Sequence, residues 1–105
     1  MTAINRTGKP KFTPGNSFLF DLGSIYATPG ALAFLHVHNL MPYEFLHRHH
    51  TGDFGNLDAE DIEANHAALH CGARVLSSYE IGNQKLWIIT EADRSSTTIL
   101  LPEEY

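Results

Sequence analysis

Seven histidines in a chain of 105 residues are the side chains with the clearest capacity for chemistry. They form three groups, at positions 36 and 38, at positions 47, 49 and 50, and at positions 66 and 70. Imidazole titrates close to neutral pH, so histidine acts as a general acid or base and also binds metal ions. The spacing therefore raises two hypotheses, proton-transfer catalysis and metal binding, beside the simpler interpretation that these are solvated surface residues.

Proton transfer beside a cation is the chemistry that cleaves RNA through its 2′-hydroxyl group without a metal ion. The residues able to supply a base, a phosphate ligand and an orienting hydroxyl are His49, Arg48, Arg74, Tyr79 and Thr98. In this hypothesis His49 is the base, and Arg48 or Arg74 binds the phosphate. Side chains alternate along a strand, so Arg74 and Tyr79 lie on opposite faces and cannot both contact one substrate. The alternative to a catalytic role is a structural one, in which Arg48 forms an ion pair with Asp53.

Metal binding is the second hypothesis. His66 and His70 are one helical turn apart, and they can share a zinc ion with one of the histidines at 47–50. No HExxH motif is present, and Cys71 has no CxxC partner, so the signal for a zinc site is weak. The chain also lacks the glycine-rich motifs that bind nucleotides, and no cofactor is expected.

Length and composition limit the class of protein. The chain is long enough for one compact domain, and its formal net charge is −5, whereas general nucleic-acid coating usually needs a basic surface. Residues 1–16 contain several Pro, Gly and cationic residues and are expected to form a flexible arm before a single domain at residues 17–105. A lone cysteine cannot form an intrachain disulfide, which agrees with a cytoplasmic protein. No run of about 20 apolar residues indicates a membrane segment.

The order of caps and apolar runs predicts helices first and strands last. Thr28 and Asp58 are suited to begin helices, and Gly72 to end one. The predicted helices lie at residues 29–38, 42–50 and 59–71, and the predicted strands at 74–81, 86–90 and 97–101. The expected fold is α+β, with two to three N-terminal helices packed on a C-terminal antiparallel meander of three to four strands. Both faces of the last two strands are apolar, so protein is expected to cover both sides of the sheet.

Several short motifs carry a family resemblance over roughly residues 22–105. They are TPGAL at 28–32, EFL at 44–46, RH at 48–49, GDFG at 52–55 and the closing TEADRSSTTILLPEEY. Together they resemble a family of small bacterial proteins of plasmids and mobile elements, often labelled "plasmid-related protein" or "type I restriction subunit M". The resemblance implies an accessory protein of mobile genetic elements with no established activity. A methyltransferase subunit is excluded because no glycine-rich turn for S-adenosylmethionine is present.

Three functions are therefore expected to compete. The first is a protein-binding accessory module, acting against host defence, in which Arg48, Asp53 and Asn65 hold the loop at residues 51–56 against the third helix, and Arg94 shapes the last turn. The second is a metal-independent ribonuclease acting on RNA, since the order of elements is similar to that of barnase-like domains of the EndoU, colicin and RelE types. The third is a zinc-binding protein. An exposed sheet edge also offers a place for a second copy to pair.

Overall fold

The structure, a computed structural model, describes residues 18–105. The expected arm at residues 1–16 lies outside that range. The elements, in chain order, are β1 (Ser24–Ala27), α1 (Pro29–Val37), α2 (Pro42–His50), α3 (Ala59–Cys71), β2 (Val75–Ile81), β3 (Gln84–Thr90), β4 (Ser96–Leu100) and a short 3-10 helix (Pro102–Glu104). The expected α+β class, with helices preceding most of the sheet, is confirmed.

The sheet has the strand order β1-β4-β3-β2. The last three strands form the predicted antiparallel meander. The prediction of a wholly antiparallel sheet is wrong at β1, which runs parallel to β4 with Ser24 beside Ser96 and Ala27 beside Ile99. The physical reason is the connection: three helices and two strands separate β1 from β4, and such a long crossover allows a parallel partner.

The start of β1 depends on a close approach to the β3–β4 turn. Gly23 has a φ of 67°, and a Cβ atom there would run into the backbone carbonyl of Ser95. This contact brings the amide of Ser24 to 3.0 Å from the Ser95 oxygen. The turn itself matches the sequence prediction, since Asp93 Oδ1 accepts from the Ser95 amide at 3.0 Å and Arg94 has a φ of 62°.

The helix ends follow the local signals in the sequence. The Thr28 hydroxyl accepts a hydrogen bond from the Ala31 amide at 3.1 Å, which satisfies one of the free amides at the start of α1. The Asp58 carboxylate does the same for the Asp61 amide at 2.9 Å at the start of α3. Gly72 ends α3 in the left-handed conformation, with a φ of 73°. The predicted caps are therefore confirmed.

Helix side chains pack on one face of the sheet, here called the inner face. The main core combines helical residues with inner-face residues: Ala31, Phe34, Leu35, Phe45, Tyr79, Leu86, Ile88, Ile99 and Leu101. A smaller cluster joins Ala68 of α3 to Phe54 and Val75. In neither cluster of the described residues does a helix pack on the opposite, outer face. There Trp87 meets Tyr105 edge-on at 5.9 Å, so the C-terminal residue supplies part of the cover expected on that face.

Candidate functional site

His49 lies completely buried between α2 and the inner face of the sheet. Its Nδ1 atom is 2.6 Å from the hydroxyl of Ser77, and its Nε2 atom is 2.9 Å from the hydroxyl of Thr90. The chain of hydrogen bonds continues from Thr90 to Thr97 at 2.7 Å, and from the Thr97 hydroxyl to the carbonyl of Leu22 at 2.7 Å. One polar chain thus ties α2, three strands and the segment before β1 together.

This burial decides the protonation state of His49. Loss of hydration, with a smaller effect from His50, lowers the pKa of His49 to about 3. The imidazole is therefore neutral at pH 7, with one nitrogen donating and one accepting, and hydroxyls can complement both roles. A general base must lie within hydrogen-bond reach of a substrate proton. The buried ring bonds to two hydroxyls of the protein instead, an arrangement that favours a structural role for His49 over the predicted catalytic one.

Arg74 and Thr98, two further candidate catalytic residues, lie on the outer face of the sheet, opposite His49. Arg74 is exposed, where its Nε lies 3.4 Å from a Glu91 carboxylate oxygen and its Nη1 donates to the Tyr105 hydroxyl at 2.7 Å. Thr98 lies next to buried Thr97 on β4, so the two side chains face opposite sides of the sheet. Thr98 therefore faces away from the polar chain of His49. The expected ribonuclease residues do not converge on one cleft.

Arg48, Asp53 and Tyr79 do come together. The Arg48 Nε donates to Asp53 Oδ2 at 2.7 Å, and its guanidinium carbon lies 4.4 Å from the Tyr79 ring centre. The Tyr79 hydroxyl donates to the Asp53 carbonyl at 2.7 Å, and burial raises the pKa of that hydroxyl. The hydrogen bond from Arg48 lowers the pKa of Asp53. This cluster anchors the loop that follows α2, in agreement with the structural alternative.

Asn65 has a different partner from the one expected. Its side-chain amide donates to the Leu76 carbonyl at 2.6 Å and accepts from the Leu76 amide at 3.1 Å. It therefore joins α3 to the free edge of β2 and does not bond to the loop. The loop completes the same edge: the Ser78 amide donates to the Phe54 carbonyl at 3.0 Å, and the Asn56 amide donates to the Ser78 carbonyl at 2.6 Å.

Arg94 connects the last turn to α3. Its Nη2 donates to the Ala68 carbonyl at 3.0 Å, and its Nη1 donates to the Ala73 carbonyl at 2.6 Å. The Ala68 carbonyl also accepts from the Gly72 amide at 3.0 Å, and a cation at this end of α3 opposes the negative end of the helix dipole. The expected turn residue thus has a second role, which the sequence did not indicate.

The predicted zinc site lacks a set of ligands in the described residues. Within residues 18–105, no group of three or more His, Cys, Asp or Glu side chains is placed to hold a metal ion. His66 instead lies edge-on to the Phe54 ring, with the ring centres 5.7 Å apart. The described residues therefore do not bring His66 and His70 together with a third histidine from 47–50.

Within residues 18–105, the outward edge of β1 is left without a neighbouring strand. Ser24 and Thr28 donate their amides to the β3–β4 turn and β4, at 3.0 Å each. Every second residue of a strand points the same way, so the N–H and C=O groups of Ile25 and Ala27 point away from the sheet. Among the described residues nothing bonds to these four groups. Their side chains add apolar surface, since Ile25 is 49% and Tyr26 58% exposed.

A groove of about 240 Å³ adjoins this edge. Its lining is mostly apolar and comes from the segment before β1, β1 itself and α2: Phe18, Leu22, Ile25, Tyr43, Leu46, His47 and His50. Phe18 stacks on His50 with a ring distance of 4.0 Å, and the Leu19 amide donates to the His50 carbonyl at 3.0 Å. The open edge of β1 and this groove are together called the β1 docking surface.

The sequence pattern of α2 indicates one half of the β1 docking surface. Residues 43, 46, 47 and 50 recur at helical spacing and form one stripe of α2 that lines the groove, and of these Leu46 also packs against the main core. The sequence analysis considered the histidines of this stripe as metal ligands instead. The other half of the surface comes from β1, and only the tertiary structure brings the two together.

Comparison with protein-family models, with curated proteins and with solved structures finds no match. In the part of the chain that the structure describes, no helix has the length and apolar character needed to cross a membrane. The function is therefore inferred from the geometry of the surface itself.

Proposed function

We propose that the chain is a small protein-binding module, and that its β1 docking surface receives an extended segment of protein. The observation that supports this most is the contrast between the two edges of the sheet. The β2 edge is closed by Asn65 and by the loop at residues 54–56, whereas the β1 edge keeps its outward N–H and C=O groups unpaired within the described residues. An unpaired edge is a template for another strand.

The groove indicates the chemistry of the bound segment. Side chains of an added strand alternate between the two faces of the sheet, so every second one would lie over α2 and the groove. Its lining contains no Asp, Glu, Lys or Arg, which favours apolar side chains there. Its volume of about 240 Å³ is also below the roughly 300–1,000 Å³ typical of small-molecule sites. A peptide side chain suits this space better than a cofactor.

The biological setting is proposed from the sequence resemblance alone. The motifs at residues 28–32 and 52–55 and the closing stretch resemble small proteins of plasmids and mobile elements, so we propose an accessory role there, directed against host defence. The ribonuclease alternative has less support, because its base is buried and Arg74 lies on the opposite face of the sheet from that base. Purified protein is expected to leave RNA intact at pH 6 and pH 7.5 in the presence of EDTA.

Site-specific photo-crosslinking in the cells that make the protein tests the proposal. Benzoylphenylalanine replaces Tyr43, which is 71% exposed at the groove, and in a matched control it replaces exposed Glu63 on α3. We expect a discrete protein adduct from position 43 and none from position 63. Ile25→Pro, which removes one outward N–H, should abolish the adduct. Equal adducts from both positions, or none from position 43, would overturn the proposal.

A further inference from the structure

We infer that the segment received by the β1 docking surface is the β1 strand of a second copy of this chain. The inference rests on the proposed function, because it names the partner of the same surface. It follows from the symmetry that β1 allows, from the absence of charge on the surface, and from the apolar area that the surface leaves exposed.

The symmetry is that of two antiparallel β1 strands related by a twofold axis at Tyr26. Ile25 of each copy then lies opposite Ala27 of the other, and their outward N–H and C=O groups form four hydrogen bonds. Tyr26 bonds inward to β4, so the two copies of Tyr26 form a pair without backbone bonds, where side chains approach most closely. Both tyrosines lie on the outer face, and the two four-stranded sheets become one sheet of eight strands.

The charge distribution permits this pairing. Each chain carries a formal net charge of −5, so two copies repel one another over most of their surfaces. Strand β1 and the groove lining contain no Asp, Glu, Lys or Arg. Edge strands that must stay unpaired usually carry a charged residue, a proline or a bulge. The sequence of β1, Ser-Ile-Tyr-Ala, has neither a charge nor a proline.

The exposed area indicates how tightly the copies would associate. Phe18, Tyr26 and Tyr43 are 62%, 58% and 71% exposed, and Ile25 is 49% exposed. With about 150–250 Å² for each aromatic side chain, the surface exposes on the order of 500 Å² per copy. Two copies would bury roughly 1,000 Å² of apolar area, the lower limit for a specific interface. A reversible dimer, dependent on concentration, is therefore expected.

Two variants of the full chain, which introduce either a positive or a negative charge at Tyr26, test the inference. Tyr26→Lys places two like charges opposite each other across the twofold axis, and so does Tyr26→Glu. Each variant should be monomeric by light scattering at a concentration where the wild type is dimeric, with a dissociation constant raised at least tenfold. An equal mixture of the two variants should restore a dimer containing one copy of each, which a folding defect could not produce.

Matched controls place the same charges elsewhere. Val37→Lys and Val37→Glu change an apolar residue that is 77% exposed at the end of α1, away from the surface, and should leave dimerisation unchanged. A monomeric wild type, Tyr26 variants that dimerise as the wild type does, or a mixture that stays monomeric would each overturn the inference. If the wild type is monomeric while position 43 still crosslinks to a different protein, only the second copy is excluded and the proposed function stands.

Discussion

The side-chain amide of Asn65 bonds both the N–H and the C=O of Leu76, as a neighbouring strand would. One residue of α3 thereby completes part of the free edge of β2, and the loop around Asn56 completes the next part. Ile25, on the opposite edge of the sheet, has no such partner among the described residues. Among the described residues one edge of the sheet is therefore closed and the other is open, which supports the proposed strand pairing at β1.

Loss of the Asn65 amide should destabilise the fold and expose this edge. Asn65→Asp keeps the size of the side chain but replaces the donor to the Leu76 carbonyl with an acceptor, so two acceptors face each other. We expect the free energy of unfolding to fall by about 1–3 kcal/mol, the cost of an unsatisfied buried group. Denaturant unfolding measures this, and the Leu76 amide should exchange its hydrogen faster. Asn83→Asp, in the exposed turn after β2, is the control and should change stability little.

The buried imidazole of His49 should make the protein less stable in mild acid. In the unfolded chain its pKa is the ordinary 6.5, and in the folded protein burial lowers that pKa to about 3. Between these values the unfolded state binds a proton that the folded state does not, so the free energy of unfolding falls as the pH falls. The stability is fully present above pH 6.5, and the slope below it approaches about 1.4 kcal/mol per pH unit.

His49→Gln isolates this contribution. Glutamine keeps a donor and an acceptor for the hydroxyls of Ser77 and Thr90 but does not titrate. Urea unfolding between pH 5 and pH 7 should show a shallower dependence on pH in the variant than in the wild type, whatever the stability of each at pH 7. His70→Gln, the same change at an exposed position on α3, is the control. Identical slopes for wild type and His49→Gln would show that the ring is accessible to protons in the folded protein.

The sequence predicted local structure well because the signals for it are local. The caps at Thr28 and Asp58, and the stop at Gly72, depend on atoms within a few residues of each cap. The antiparallel meander follows from short turns for the same reason. The parallel pairing of β1 with β4 could not be predicted in this way, since it depends on how three helices return the chain to the sheet.

The role of His49 shows why the candidate site was harder to predict. Its partners, Ser77 and Thr90, lie 28 and 41 residues further along the chain, and only their approach in the fold buries the ring. From the sequence alone, adjacent Arg48 and His49 suggest a catalytic pair. In the structure His49 is buried and the Arg48 side chain is partly exposed, so the two side chains do not share one site. The β1 docking surface was missed for a related reason, since α2 supplies only half of it.

The loop after α2 should depend on a glycine at position 55. Gly55 has a φ of 80°, and a Cβ atom there would meet the Ser78 carbonyl, which the loop approaches to pair with β2. Gly55→Ala therefore adds a steric clash to an unfavourable backbone conformation, and should cost about 1–3 kcal/mol. Gly72→Ala is a matched control, because its φ is 73° but no atom lies within 4 Å of the added Cβ. Thermal unfolding should show the larger loss at Gly55, and equal losses would contradict the proposed close contact.

The ion pair between Arg48 and Asp53 should contribute modestly to the same loop. Their side chains are 42% and 53% exposed, so solvent screens the pair, and a double-mutant cycle should give a coupling of about 0.2–1 kcal/mol. Because Arg48 also lies over the Tyr79 ring, Arg48→Ala should cost more than Asp53→Ala. The pair of Arg74 and Glu91, separated by 3.4 Å, is the control and should show no measurable coupling. If Arg48→Ala leaves the unfolding midpoint unchanged, Arg48 does not hold the loop, and its exposed guanidinium becomes available for a role in binding.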